Sequence, residues 1–159
     1  MKGDPDVIKQ LNACLKNELT SINQYYLHAR MYDAWGYARL GKKTYEESIG
    51  EMKHADLLIK RILLLEGFPN LQDLNKLGVG ESVPEGLAAD LDAERRGRAT
   101  LVEAIQVCET KKDFVSRDLL THMLDDTEEH IDFLETELDV LNDIGVQNYL
   151  QNQYKPLDE

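Results

Sequence analysis

The feature that most constrains this chain is a set of apolar stripes with charge inside them. From Asp6 to Trp35 the sequence meets neither glycine nor proline, and Leu11, Leu15, Glu18, Ile22, Tyr25 and Ala29 recur at alternating spacings of four and three. That spacing keeps one face of a long α-helix turned inward, as in a bundle. Asp4 reads as its N-cap, Pro5 as its first helical residue and Gly36 as its end. A second helix is expected from about Lys43 to Glu66, with Ser48, Glu51, Ala55, Leu58, Ile62 and Leu65 on its stripe and Gly67 and Pro69 as the stop. The third, near Glu85 to Thr110, aligns Leu87, Leu91, Glu94, Arg98, Leu101, Ile105 and Cys108. The fourth, about Asp113 to Ile144, aligns Leu120, Met123, Thr127, His130, Leu134, Leu138 and Leu141, and a short amphipathic tail, "VQNYLQNQY", follows Gly145. Between the second and third helices, "GFPNLQDLNKLGVGESVP" has little helical period and is long for a loop in a compact domain. Its length suits a crossover between parallel helices. An all-α four-helix bundle follows, and 159 residues is the size of one domain, spanning 1–159.

Ionised carboxylates are rarely buried unless paired or bound to metal, because desolvating one costs several kcal/mol. Any one of Glu18, Glu51, Glu94 and His130 reaches water easily from a helix edge; all four on inward stripes do not. Glu51 and His54, three apart in "EMKHAD", share a helix face one turn apart. One helix giving Glu, one Glu-x-x-His, a third Glu and a fourth His is most of a di-iron carboxylate pattern. Carboxylates suit iron or manganese in both oxidation states, and imidazole favours a transition metal over magnesium. The other histidines carry less: His28 and His122 read as surface or interface residues.

The formal charge of -12 and pI near 4.7 argue against nucleic acid or an anionic membrane as partner and favour a cation. No apolar leader or membrane-length apolar run is present, so a soluble, cytoplasmic protein is expected. Cys14 and Cys108 lie in helical patterns without a CxxC and read as buried thiols.

With these residues in hand the chain resembles the bacterioferritin family over its whole length. The likeness is carried by "MKGD", "NEL", "INQYYLHARM", "EMKHAD", "RILLLEGFPNLQDL", "DFVSRDLL", "EEHIDFLETEL" and "NYLQ", in that order. It implies a ferritin-like four-helix bundle with a long crossover and a short fifth helix, assembled into a hollow shell of 24 subunits. Such a shell oxidises Fe(II) at a di-iron site (Fe2+/Fe3+) within each subunit and stores ferric mineral. Residue by residue, the resemblance places ferroxidase ligands on Glu18, Glu51, His54, Glu94 and His130, with the sixth position, a bridging glutamate in the family, falling on Thr127. It places a b-type haem between two subunits on Met52 of each, which lies 100° round the helix from Glu51 and so outside the bundle interior. Ile49, Ile59, Leu19 and Tyr26 extend that flank. The resemblance also implies a ferredoxin-type electron donor.

A neutral hydroxyl is a weak ligand for Fe(II), so Thr127 divides the functional readings. Asp126, four residues before His130, is expected to aim away from the vacant bridge, and Glu128 and Glu129 further off. Arg98 either pairs with Glu94 one turn away or extends to solvent. The chain is then an iron-storage subunit with its own ferroxidase activity, or a haem-carrying subunit with an impaired site in a mixed shell whose second chain oxidises iron. A di-iron oxygenase or peroxidase fits less well, since the likeness runs through crossover and tail.

Overall fold

A computed structural model describes residues 1–154 and contains helices α1 (Pro5–Ala34), α2 (Ala38–Leu64), α3 (Val83–Thr110), α4 (Phe114–Ile144) and α5 (Val146–Gln151), with no strand among the described residues. The Asp4 side chain caps α1 by accepting the Asp6 N–H at 2.8 Å, with Pro5 in the first turn. Asp113 does the same for α4 through the Ser116 N–H at 3.0 Å and also receives Arg61 of α2 at 2.8 Å. The second helix starts earlier than its sequence suggests. Gly36, at φ 92°, turns the chain, and Tyr37 precedes the first helical residue without a side-chain cap, so the start carries no polar signature.

Pairings between helices fix the topology. Gly3 donates to the Leu65 carbonyl, setting the start of α1 beside the end of α2, while His28 meets Asp90 and Tyr25 meets Glu94, so α1 and α3 also run oppositely. Consequently α2 and α3 are parallel, and the segment between them travels the length of the bundle. The result is the all-α four-helix bundle with a long crossover and short fifth helix that the stripes and the family likeness lead one to expect.

The core falls into two apolar halves. One joins Val7, Leu11, Leu15, Leu58, Ile62, Leu101, Leu120 and Met123 with the buried, unpaired Cys14 and Cys108. The other joins Tyr32, Leu40, Val83, Leu87, Leu91, Leu134, Leu141 and Tyr149. In sequence, each long helix passes from one half to the other through a buried polar segment: Glu18 on α1, Glu51 and His54 on α2, Glu94 on α3, and Thr127 and His130 on α4.

A second, polar stripe on α1 seats the crossover. Asn12 receives the Asn70 N–H at 2.9 Å, Thr20 the Asn75 N–H at 3.0 Å, Gln24 the Gly78 N–H at 2.9 Å, and His28 Nε2 the Gly80 N–H at 3.0 Å. His28 is therefore fully buried rather than at the surface, and its Nδ1 faces Asp90 at 2.8 Å. Sequence reading missed it because the partners of His28 come from a loop with no period and from a distant helix. His122, by contrast, is exposed. At Gly80 the crossover passes so close to α3 that an added Cβ would lie 2.2 Å from the Gly86 backbone nitrogen. Gly80→Ala is expected to destabilise the subunit by about 1–3 kcal/mol, the usual cost of overpacking a site whose neighbour is backbone. The midpoint of chemical denaturation, compared with the unmodified protein, checks this.

Candidate metal centre

The buried polar segments of the four helices meet in one layer. Glu18, Glu51, His54, Glu94, Thr127 and His130 are all 4–8% exposed. On one side, His54 Nδ1 stands 3.5 Å from Glu18 Oε2 and 3.6 Å from Glu51 Oε2. On the other, His130 Nδ1 stands 2.7 Å from Glu94 Oε1, which also accepts the Tyr25 hydroxyl at 2.6 Å. The Tyr25 ring meets the His130 imidazole edge-on, with centroids 5.4 Å apart. The stripes put Glu18, Glu51, Glu94 and His130 inward and the i, i+3 spacing put His54 beside Glu51, and all five side chains lie buried in this layer.

Two atoms decide what the layer can hold. Glu18 Oε2 and His54 Nδ1 are buried and have no hydrogen-bond partner. Leaving a buried polar atom unsatisfied costs about 1–3 kcal/mol, more when it is charged. Both atoms face one space, and with a Glu51 oxygen they form a trio whose ligand atoms lie within 4.8 Å of one another. A divalent cation satisfies all three together, and the oxygen and nitrogen donors match the preference of iron or manganese.

Two further carboxylates join the layer. His54 Nε2 donates to Asp126 Oδ2 at 2.8 Å, which orients the ring so that Nδ1 faces Glu18 and Glu51. Asp126 thus stands on the side of the His54 ring opposite Nδ1, in keeping with the expectation that it aims away from the vacant bridge, and reaches the back of His54 across the α2–α4 boundary. Glu47 Oε2 lies 3.7 Å from His130 Nδ1, and Glu47, Glu51 and His130 form a second trio within 4.8 Å. Sequence reading passed over Glu47, although its place one turn before Glu51 puts it on the same face. Arg98 goes the other way. Its guanidinium reaches outward to Glu128 at 2.8 Å, leaving Glu94 to Tyr25 and His130, so Arg98 does not oppose a metal at Glu94. An opening of about 350 Å³ leads to the layer past Lys43, Glu47, Asp126 and Phe133.

The charges explain the proton balance. Burial alone would lower the His54 pKa, but the Glu18 and Asp126 carboxylates more than reverse this and push it up to about 9. Burial likewise works against a protonated His130, and Glu94 and Glu47 overcome it, raising its pKa. Burial pushes the Glu18 carboxyl up, partly offset by His54. The metal-free layer therefore holds protons at neutral pH that a cation must displace. Binding of Zn2+ is expected to release protons and to tighten as pH rises from 6.5 towards 9, read by calorimetry in buffers of different ionisation enthalpy. Because the His54 pKa is raised on folding, its contribution to metal-free stability is complete below about 6.5 and is lost as pH rises through about 9. Denaturation midpoints of the metal-free protein should accordingly fall across that window.

On the outer face of α2, 100° from Glu51, Met52 is 52% exposed. Ile49 and Ile59 lie along the same flank, and on α1 Tyr26, 50% exposed, faces Tyr45 with ring centroids 6.4 Å apart. The exposed Met52 thioether is a donor of the kind that haem iron accepts.

Comparison with known proteins agrees with the fold. The ferritin-like domain family matches residues 8–144. The chain is 51% identical over 159 residues to the bacterioferritin of Brucella melitensis, covering 100% of this chain and 99% of that protein. It is 47% identical over 154 residues to a bacterial ferritin of Pseudomonas aeruginosa, covering 96% and 99%, and 44% identical over 158 residues to the bacterioferritin of Rhodobacter capsulatus, covering 99% and 98%.

Proposed function

This chain belongs to the bacterioferritin family, and from that premise we propose that it is an iron-storage subunit of a haem-containing shell of 24 subunits. It takes Fe(II) as substrate at Glu18, Glu51, His54, Glu94 and His130. The observation that carries this reading is the pair of orphaned buried atoms, Glu18 Oε2 and His54 Nδ1, aimed at one space beside Glu51. Fe(II) entering past Asp126 displaces the proton on His54, and the carboxylates stabilise the rise in charge when it is oxidised by dioxygen. Asp126 holds the His54 ring in place throughout, and Tyr25 fixes one oxygen of Glu94. Met52 of two subunits would hold a b-type haem, which supplies a redox-active iron for release of the mineral. A ferredoxin-type donor and a cytoplasmic setting accompany this reading, with residues 1–159 acting as one domain. The Met52 flank, with Met52 and Tyr26 about half exposed, presents apolar surface that one bundle leaves uncovered, which supports assembly.

Thr127 favours a second reading, the haem-carrying subunit of a mixed shell. Its side chain is buried among the candidate ligands but brings no charge, so position 127 offers no carboxylate where the family has a bridge. The two readings separate by rate. Shells of this chain alone are expected to oxidise Fe(II) slowly in stopped-flow mixing with oxygenated buffer, and Thr127→Glu is expected to add a fast phase. A fast, saturable phase in the unmodified shell, unchanged by Thr127→Glu, would leave the self-sufficient subunit as the sole reading.

Haem is tested separately. Met52→Leu keeps volume and helix propensity and removes the thioether, so it is expected to abolish haem binding while leaving the helical signal intact. Retention of full haem content by that variant rules Met52 out as the ligand.

A further inference from the structure

We propose that Glu47 is a metal ligand in this chain, supplying from α2 the carboxylate that Thr127 does not supply from α4. The proposal rests on the reading of the layer as an iron site and concerns its second cation, the one on the His130 side.

Three observations assign the role to Glu47. Its Oε2 lies 3.7 Å from His130 Nδ1, and with Glu51 the three residues offer ligand atoms within 4.8 Å of one another. It lines the opening to the layer, whereas Thr127 is buried. The neighbouring acids are committed elsewhere: Asp126 Oδ2 is held by His54 Nε2, on the side of the ring remote from Nδ1, and Glu128 is paired with Arg98. Glu129 also lines the opening but is exposed and belongs to neither trio.

Charge gives the same answer. Glu18, Glu51 and Glu94 bring three negative charges against the four on two divalent cations, and Glu47 brings the fourth. Neutralising the pair matters in a layer walled by apolar residues, where uncompensated charge is costly. The two oxygens of Glu47 are differently engaged. Oε1 receives Lys43 Nζ at 2.7 Å, while Oε2 is the oxygen that faces His130. Lys43 is partly exposed and its ammonium lies 4.9 Å from the centre of the Phe133 ring, so it can retreat to solvent when a dication takes over the carboxylate. The resulting site lies closer to the opening than one completed by a residue at position 127. One cation would sit deep, on Glu18, Glu51 and His54; the other would sit nearer solvent on Glu47, Glu51, Glu94 and His130.

Cobalt(II), titrated anaerobically into assembled shells and followed by its visible absorption, reads the stoichiometry without oxidation. The unmodified chain is expected to bind two Co2+ per subunit. Glu47→Gln, isosteric and half-buried, is expected to bind one, with the second step weakened at least tenfold. Glu47→Gln combined with Thr127→Glu is expected to recover two. Two tight steps in Glu47→Gln, or only one in the unmodified chain, would overturn the role of Glu47 while leaving the iron-site reading standing. Failure of every variant, Thr127→Glu included, to bind cobalt would overturn the iron-site reading itself. A crystal grown with Zn2+ gives the second measurement: anomalous density within about 2.2 Å of a Glu47 oxygen supports the assignment, and density near His130 with Glu47 still on Lys43 refutes it.

Discussion

Everything in this bundle is arranged around the repulsion among buried carboxylates. Glu18, Glu51 and Glu94 stand in a layer with apolar residues above and below, and no arginine or lysine enters from the interior side among the described residues. Two imidazoles moderate the repulsion in the metal-free state by holding protons, and their raised pKa values express that duty. A divalent ion does the same work better, since it satisfies several lone pairs at once. Folding, proton uptake and metal uptake are three responses to one electrostatic problem.

The surrounding polar groups keep that layer in register. Gln24 and His28 both meet Asp90, one turn from Glu94, while Tyr25 between them bonds Glu94 directly. The face of α1 that supports Glu94 on α3 thus also carries the crossover. Across the bundle, Arg61 ties α2 to Asp113 and Ser116 at the start of α4, and His54 ties the same two helices at Asp126. The polar layer is therefore clamped by polar contacts at its edge and by close-packed apolar side chains at both ends, which is how a precise side-chain geometry survives in a protein built of separate rods.

Periodicity made the fold and the inward polar residues legible, because a residue on the stripe of a long helix has only one place to go. Glu18, Glu51, Glu94 and His130 are buried as their stripes lead one to expect, and His54 follows Glu51 by one turn. What periodicity misses is sidedness at the edge of a stripe. Arg98 sits on the inward stripe by count, yet its long side chain leaves the core and finds Glu128. Asp126 and Glu47 sit beside the stripe and reach in, since a carboxylate one position off axis still meets an imidazole from the next helix. His28 failed for another reason: its partners lie in a crossover without repeat, and no single-helix pattern anticipates them. The early start of α2 escaped because Tyr37 offers no capping side chain.

The ladder between α1 and the crossover has a consequence for how such a chain can diverge. On the crossover side several rungs are backbone amides, of Asn70, Asn75, Gly78 and Gly80, while the acceptors belong to α1 side chains. Residues of the crossover that point away from α1 can therefore drift without breaking a rung. Its length cannot: inserting or deleting one residue between Asn70 and Gly80 would shift the remaining amides by about 3.5 Å against acceptors fixed on a helix. This segment, though devoid of secondary structure, should align among relatives as gaplessly as the helices it joins, with variability of letter and constancy of count.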